Sequence, residues 1–379
     1  MTRLAVAIIG DDLTGTLDAA APFAARGFST AIAMAPEDAP AALATGATVV
    51  AVNSVSRAMD ADGAALAVRR AADVLAAANP AIAFKKIDSR LKGNLATETA
   101  AALDGFRRLR GIVCPAIPEF GRIVEHGRLQ GFGVDEPIVV ACRFGMVAGR
   151  LSAPDASRPA HLDAIAALLH GEAESHLAIG ARGLADALAA RLAGNQPILP
   201  RSAPLARPML FAIASRDPIT IGQVERLRGR LSPGAERAAP NGDVAPARLP
   251  ADMEIGLALA TMGDGEASAE SVAERFATGV AALVMGREIG TLVLCGGETA
   301  FAVLRRLGIT VLGVGGEAAA GIPWCHATVD GRAMAILTKS GGFGGPDELV
   351  KLTNIADKRD SAVTMAGDDR LRANGTAGG

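Results

Sequence analysis

Short apolar runs alternate with helix-like stretches along the first third of the chain, and each run has the length of a buried strand. Strands that alternate with helices predict a parallel sheet with helices packed on its faces. The predicted elements are strand Leu4–Ile9, helix Leu17–Ala25, strands Ser29–Met34 and Thr48–Asn53, helix Ala61–Ala78, strand Ala81–Ile87, helix Ala96–Phe106 and strand Gly111–Cys114.

The periodicity weakens over residues 121–155, where several turn signals predict an excursion close to the functional edge of the sheet. Helical patterns return over Leu162–Leu192. A proline-punctuated polar stretch then predicts a linker between domains, with prolines at Pro197, Pro200, Pro204 and Pro208.

A second α/β pattern follows this linker. Asp330-Gly331 has the chemistry of a tight hairpin between two short strands, Ala327–Val329 and Met334–Leu337. The other predicted elements are strands Met209–Ala214, Ile255–Ala260 and Thr291–Leu294 and helices Thr220–Leu231, Ser268–Met285, Ala300–Leu307 and Pro346–Ala356.

These patterns predict an α/β protein of two domains, each with a mainly parallel sheet flanked by helices and with the active site in the interdomain cleft. The predicted domains cover residues 1–200 and 208–358. Residues 359–379 are polar and end in Gly-Gly, which predicts a disordered tail.

Composition excludes several classes of function. Aromatic residues make up 3% of the chain and the net charge is −2, so neither base stacking nor a basic surface for nucleic acid is expected. No apolar stretch has the length of a membrane span, and the N-terminal run is interrupted by aspartates, unlike a signal peptide. The four cysteines lie far apart, which favours reduced thiols and a cytoplasmic protein.

The most informative motif is Gly10-Asp11-Asp12-Leu13-Thr14-Gly15, directly after the first predicted strand. Open α/β sheets bind ligands at the carboxyl ends of their strands. One aspartate is therefore a candidate base for a substrate hydroxyl, and the other a candidate ligand for a metal or for hydroxyls. Asp12 also has the position of a helix N-cap, and capping by itself would explain the presence of one of the two aspartates.

A second polar run follows the strand that ends near Ile87. Its alternating cations and hydrogen-bonding groups suit a carboxylate-bearing polyol, although a solvated loop of mixed charge has the same composition. Ser54, Ser56 and Arg57 add a third group after another strand, and Arg57 is a candidate carboxylate clamp. The candidate residues of the run are Lys86, Asp88, Ser89, Arg90, Lys92 and Asn94.

Two glycine-rich turns lie in the second half of the chain. Gly296-Gly297-Glu298-Thr299 falls between a strand and a helix, where backbone amides and the helix N-terminus suit a phosphate. Lys339-Ser340 precedes Gly341-Gly342-Phe343-Gly344-Gly345, which predicts either a flexible loop over phosphate or a mobile surface linker. The chain contains no Walker A motif, Rossmann fingerprint or serine-hydrolase elbow, so a nicotinamide-dependent dehydrogenase is not expected.

Taken together, the motifs resemble those of the four-carbon acid sugar kinases, which include threonate, erythronate and 3-oxo-tetronate kinases. The resemblance spans most of the chain and implies an N-terminal acid-sugar domain and a C-terminal nucleotide domain that use ATP and Mg²⁺ to phosphorylate a terminal hydroxyl. It is carried by Gly10–Gly15, Lys85–Asn94, Cys114–Pro118 with Gly121-Arg122, Gly296–Thr299, Gly321–Trp324 and Lys339–Gly344.

The resemblance implies a role for individual residues. Asp12, Arg57 and the Lys86–Asn94 segment would hold substrate, with Asp12 preferred over Asp11 for orienting or deprotonating the attacking hydroxyl. The implied ATP contacts are Ser215, Gly296, Gly297, Glu298, Thr299, Gly341 and Gly342.

The chain departs from the family pattern at two places. Ser89-Arg90-Leu91-Lys92 replaces Ser-Thr-Leu-Arg, and Arg216-Asp217 stands where the family has Cys-Ser. Because an ammonium does not fork onto a carboxylate as a guanidinium does, the first change bears on the substrate. A branched oxo-acid such as 3-oxo-isoapionate is thus an alternative substrate to the four-carbon acids. The alternative to a kinase is a non-catalytic sensor that binds a sugar acid. A homodimer is the candidate oligomeric state.

Overall fold

Apolar runs such as Val6–Gly10 and Met209–Ile213 form fully buried strands, one in each of the two compact units of the chain. The computed structural model describes residues 4–194, 203–245 and 248–357. Unit 1 contains Met1–Arg201 with Ile309–Gly316, and unit 2 contains Ser202–Gly308 with Glu317–Gly379. The predicted tail at 359–379 and the linker prolines Pro197 and Pro200 lie outside the described residues.

Unit 1 follows the predicted alternation of strands and helices. Short 3₁₀ segments cover Pro36–Asp38, Pro118–Phe120 and Ala141–Arg150. The elements are β1 (Val6–Gly10), α1 (Leu13–Ala25), β2 (Thr30–Ala33), α2 (Ala39–Ala44), β3 (Val49–Asn53), α3 (Ala61–Ala77), β4 (Ile82–Lys86), α4 (Leu95–Gly105), β5 (Arg110–Cys114), β6 (Arg122–Glu125), β7 (Arg128–Gly131), β8 (Ile138–Val139), β9 (Leu151–Ser152), α5 (Pro159–Gly171), β10 (His176–Gly180) and α6 (Arg182–Leu192).

The strands of unit 1 form a parallel sheet in the order β2-β3-β1-β4-β10-β5-β9. Helix α6 packs between α1 and α5, and α3 packs on α4. Strands β6, β7 and β8 form a separate antiparallel sheet. Because β3, β1 and β4 are parallel neighbours, the segments that follow them meet at one edge.

Unit 2 repeats the architecture with a sheet in the order β12-β13-β11-β14-β17-β16. All neighbouring pairs are parallel except β16 and β17, which form the hairpin predicted at Asp330-Gly331. Its strands and helices are β11 (Met209–Ile213), α7 (Pro218–Arg228), β12 (Glu236–Pro240), β13 (Ile255–Thr261), α8 (Ala269–Met285), β14 (Thr291–Cys295), α9 (Gly297–Arg306), β16 (Ile322–Val329), β17 (Arg332–Lys339) and a helix over residues 348–357.

Residues after α9 return to unit 1. Strand β15 (Val311–Ala319) begins there, and its residues Val311 to Val314 pair antiparallel with β2 of unit 1. The sequence pattern did not predict β15, which contains two adjacent glycines and lacks a regular apolar alternation.

The prediction of helix throughout Leu162–Leu192 is wrong, because β10 lies in the middle of this segment. His176 therefore belongs to a strand and not to a helical zone. The run is short and apolar, and periodicity alone does not separate such a strand from a buried helical turn. Strand β12 was also missed, because it is a polar edge strand.

The predicted fold class, mainly parallel sheets flanked by helices, is confirmed. Several helices begin earlier than predicted, since α1 starts at Leu13 and α9 at Gly297. The polar motifs therefore form the first turns of these helices. Across the described ranges, no helix has the length and apolar character needed to cross a bilayer.

The chain's one tryptophan, Trp324, lies in β16 and packs against the buried cluster that contains Phe211. Its fluorescence should therefore report the unfolding of unit 2. Replacing the fully buried Phe211 with alanine removes a large side chain and leaves a cavity, so we expect a loss of about 3–5 kcal/mol. Urea titration followed by Trp324 emission measures this loss. Met262→Ala, at a side chain that is 74% exposed, is the control and should leave the midpoint in place.

Candidate active site

Three polar segments converge at the carboxyl edge of the unit 1 sheet. Asp11 and Asp12 follow β1, Arg57 follows β3, and Asp88 follows β4. These strands are adjacent in the order β3-β1-β4, so the parallel register brings residues that are distant in sequence into contact. Such an edge is the ordinary ligand-binding position of an open α/β sheet.

The guanidinium of Arg57 is the centre of this cluster. Its Nε lies 2.5 Å from Asp11 Oδ2 and its Nη2 lies 2.9 Å from Asp11 Oδ1, a two-point ion pair. Nη2 is also 3.1 Å from Asp12 Oδ2, and Nη1 is 3.6 Å from Asp88 Oδ2. One cation therefore faces three carboxylates.

Asp11 is buried, with 3% of its side chain exposed. Burial by itself raises the pKa of a carboxyl, but the hydrogen bonds from Arg57 and the charges of Lys85, Arg57 and Lys86 outweigh it. The net result is a lowered pKa for Asp11. The side chain is thus an ionised structural anion with both oxygens occupied.

Asp12 has a different environment. Its Oδ1 accepts a hydrogen bond from Gly15 N at 2.6 Å and caps α1, as the sequence allowed, yet 32% of the side chain stays exposed. A β-carbon on Gly15 would lie 2.6 Å from Asp12 Oδ1 and 3.3 Å from Lys86 Nζ. The glycine is therefore needed for the close approach of Asp12 to the helix.

A buried polar chain lies beneath these residues. Lys85 and Glu98 are almost fully inaccessible and form an ion pair of 2.9 Å. Glu98 also accepts a 2.7 Å bond from Ser56, whose hydroxyl is 2.8 Å from that of Ser54. Glu98 was missed in the sequence. The signal that could have indicated it was Lys85, because a lysine in a buried strand requires a buried partner of opposite charge.

The loop from Asp88 to Asn94 is held by hydrogen bonds between side chains and backbone groups. Asp88 Oδ1 accepts bonds from the backbone N–H groups of Arg90 and Lys92 at 2.9 and 3.3 Å. Asn94 donates to the carbonyls of Ser56 and Met59, so its amide nitrogen joins two loops.

The cations of this loop differ from Arg57. The side chains of Arg90 and Lys92 are exposed, and within the described residues neither forms an ion pair or donates a hydrogen bond. Lys86 is buried and donates to the Ile87 carbonyl at 2.9 Å. Among the predicted carboxylate-binding cations, Arg57 is bound to protein carboxylates. In the described part of the chain, the side chains of Arg90 and Lys92 are free for a ligand.

Arg122 supports the same loop from the β6 strand. Its Nη1 donates to Ser89 Oγ at 2.7 Å, and its Nε and Nη2 donate to the Phe132 carbonyl. Burial, and to a lesser extent the charge of Arg90, lower the pKa of Arg122. The sequence marked Arg122 only as part of a family motif.

The predicted nucleotide residues converge at the corresponding edge of unit 2. Gly296 follows β14 with φ 108°, a backbone conformation that favours glycine, and caps α9. A β-carbon placed on it would lie 3.9 Å from Ser215 N. A β-carbon on Gly341 would lie 2.3 Å from Ser215 Oγ, and one on Gly342 would lie 2.8 Å from Asp217 Oδ2.

The first turn of α9 contains Gly297, Glu298 and Thr299. Glu298 is exposed and Thr299 is buried. The first N–H groups of a helix lack intrahelical partners and carry the positive end of its dipole, so this turn suits an anion. Asp217 caps α7 beside it by accepting a 2.9 Å bond from Ile219 N.

The described residues offer few candidate protein ligands for a metal ion. Among the residues that the structure describes, no group of three or more His, Cys, Asp or Glu side chains is arranged to hold a metal ion. Asp11, Asp12 and Asp88 face Arg57, so the guanidinium, and not a metal ion, supplies the positive charge opposite these carboxylates.

Two family models match the chain. Residues 6–138 match the Sugar-binding N-terminal domain, and residues 244–349 match the Nucleotide-binding C-terminal domain. The charged edge of unit 1 falls within the first match. The turns at Gly296 and Gly341 fall within the second.

Full-length relatives cover the same span. A D-threonate kinase from Cupriavidus necator is 30% identical over 90% of this chain and 95% of its own length. A 3-oxo-tetronate kinase from Methylobacterium radiotolerans is 28% identical over 91% of this chain and 97% of its own. A crystal structure of a Haemophilus influenzae protein shares the fold, with a TM-score of 0.66 at 19% identity over 93% of this chain and 99% of that one.

Removing one partner of the Lys85–Glu98 pair should destabilise unit 1. Glu98→Gln leaves the Lys85 ammonium buried without its counter-charge, and we expect a loss of about 3–5 kcal/mol, measured by urea unfolding followed by far-UV circular dichroism. Asp73→Asn, in the exposed Arg69–Asp73 pair, is the matched control and should cost less than about 1 kcal/mol. Equal losses in the two variants would contradict the assignment.

Proposed function

This chain belongs to the four-carbon acid sugar kinase family, and we propose that it transfers a phosphoryl group from ATP to a terminal hydroxyl of a small sugar acid. It is a phosphotransferase. The observation that carries the proposal is the division of the two matches, since the sugar-binding match lies in unit 1 and the nucleotide-binding match contains the glycine turns of unit 2.

Asp12 is the proposed base or orienting group for the substrate hydroxyl. Phosphoryl transfer requires alignment, charge neutralisation and a group that orients the nucleophile. Asp11 is unsuited to this task because it is buried and bonded to Arg57 through both oxygens. Asp12 keeps about a third of its side chain exposed at the same strand end.

The free cations of the Asp88–Asn94 loop are the proposed clamp for the substrate carboxylate. Arg90 offers a planar fork that matches a carboxylate, and Lys92 adds a second positive charge. Arg57 already binds Asp11 in this way, so we propose that it orients the two aspartates. Lys86, Ser89 and Asn94 complete the proposed substrate-binding set.

The proposed ATP contacts are Ser215 and the two glycine turns, at Gly296–Thr299 and Gly341-Gly342. Mg²⁺ is the proposed metal. Magnesium in phosphoryl-transfer enzymes takes many of its ligands from substrate phosphates and water, so a site with few protein carboxylates fits a metal that arrives with ATP. The ion would neutralise charge on the transferred group.

The acid itself is one of a small set. Relatives named for D-threonate, D-erythronate and 3-oxo-tetronate support a four-carbon acid. The changes at Arg90 and Lys92 keep a branched oxo-acid such as 3-oxo-isoapionate as the alternative. A coupled assay of ADP release over four- and five-carbon sugar acids and their 3-oxo forms tests the proposal. If none of these acids gives ADP release or a phosphorylated product, the proposal is overturned.

We expect Asp12→Asn to lower kcat by a factor of about 100 or more, the usual contribution of a general base. Asparagine also caps helices, so α1 should be preserved. Steady-state kinetics measure kcat, and calorimetric titration should show an unchanged Kd for ATP. A variant with normal kcat would remove Asp12 from catalysis.

We expect Arg90→Met to raise KM for the sugar acid by about tenfold or more, because a hydrogen bond between charged groups is lost. The KM for ATP should not change. The matched test compares the acid with its uncharged amide, on which the variant and the parent protein should act alike. An equal effect on both compounds would show that Arg90 does not bind the carboxylate.

A further inference from the structure

The glycine loop of unit 2, residues 340–345, is fixed to the protein through its carbonyl oxygens. Lys339 Nζ donates to the carbonyls of Ser340 at 2.9 Å and Gly341 at 3.1 Å. Thr220 Oγ1 donates to the Gly341 carbonyl at 2.5 Å. The abundance of glycine suggests a flexible loop, yet these bonds hold its first half in place.

Gln223 holds the second half of the loop. Gln223 Nε2 donates to the carbonyls of Phe343 at 3.1 Å and Gly345 at 2.8 Å. Gln223, Thr220 and Lys339 are all completely buried. Two of them lie on α7 and the third ends β17, so the rigid core of unit 2 anchors the loop.

The direction of these bonds determines the direction of the amides. In a trans peptide the carbonyl of one residue and the N–H of the next point in opposite directions. The carbonyls of Ser340 and Gly341 point toward Lys339, so the N–H groups of Gly341 and Gly342 point away from it. Within the described residues these two N–H groups donate to no protein acceptor.

The charge of Lys339 adds a second, independent observation. Its ammonium is buried among neutral partners, namely two carbonyls, the Thr220 hydroxyl and the Cys295 sulfur at 3.8 Å. In the described part of the chain it has no carboxylate within ion-pair distance. Desolvation lowers its pKa, and nearby charges only partly offset this. An anion bound on the far side of the loop would stabilise a buried cation of this kind.

We propose that Lys339, Thr220 and Gln223 are positioning residues for ATP, which hold the loop so that the N–H groups of Gly341 and Gly342 bind its phosphates. The inference rests on the proposed kinase function and deepens it. Successive glycine amides that face one way form a concave anion site, and fixing them in advance avoids an ordering cost on binding. The three side chains touch the loop and not the nucleotide.

Thr220→Val tests the inference, because valine keeps the volume of threonine and removes the hydroxyl that holds the Gly341 carbonyl. We expect KM for ATP to rise by about five- to tenfold, the effect of about one hydrogen bond. The inhibition constant of tripolyphosphate should rise by the same factor. The inhibition constant of adenosine and the KM of the sugar acid should not change.

Two further variants control for a merely structural effect. Thr220→Ser keeps the hydroxyl and should restore the parent values. Thr353→Val removes a buried hydroxyl that bonds the Val350 carbonyl within its own helix, and it should leave all four constants unchanged. If Thr220→Val does not fold, Gln223→Met tests the same positioning role, because it removes the two hydrogen bonds to the carbonyls of Phe343 and Gly345.

An unchanged KM for ATP in Thr220→Val, or an equal rise in the constants of adenosine and tripolyphosphate, would overturn the inference. This failure is distinct from failure of the proposed function. If the parent protein neither binds ATP nor phosphorylates any acid, the kinase proposal fails. If the parent protein does both and only the variant behaves unexpectedly, the positioning role alone fails.

Discussion

The ion pair between Arg57 and Asp11 is the constraint on which the charged edge of unit 1 depends. Three carboxylates placed at adjacent strand ends would repel one another without a cation between them. Arg57 binds Asp11 through two hydrogen bonds and also faces Asp12 and Asp88. It thereby joins the ends of β1, β3 and β4, and it keeps Asp11 ionised despite burial.

This arrangement separates two aspartates that are adjacent in the chain. Asp11 becomes an inaccessible anion whose partner is Arg57, whereas Asp12 caps α1 and remains partly exposed. Lys85, whose charge helps to lower the pKa of Asp11, is itself paired with Glu98. A base that must reach a substrate hydroxyl needs exposure, and Asp12 has it.

The two units offer anions different kinds of binding group. Unit 1 presents exposed side-chain cations, Arg90 and Lys92, which suit the carboxylate of the proposed substrate. Unit 2 presents backbone amides, anchored through Thr220 and Gln223. Amides fixed by the core suit a group of constant geometry, such as a chain of phosphates.

Much of this site was predictable because its elements are local. Asp11-Asp12 and Gly296-Gly297 follow apolar strands, and strand ends in a parallel sheet mark the ligand edge. Glu98 was missed, because it lies inside α4 while its partner Lys85 lies in β4, and only the fold brings the two side chains into contact. Strand β10 was missed since a run of only five residues between two alanine-rich helices carries no distinctive period.

Periodicity and turn chemistry act between near neighbours, so the mainly parallel sheets, the cap at Asp12 and the glycine turns could be predicted from the chain alone. Which cations are bound to protein carboxylates and which are free for a ligand depends instead on the folded arrangement of the strands. Arg57 and Asp11 are 46 residues apart, and their charges interact strongly only at contact distance, which the order of strands in the sheet creates.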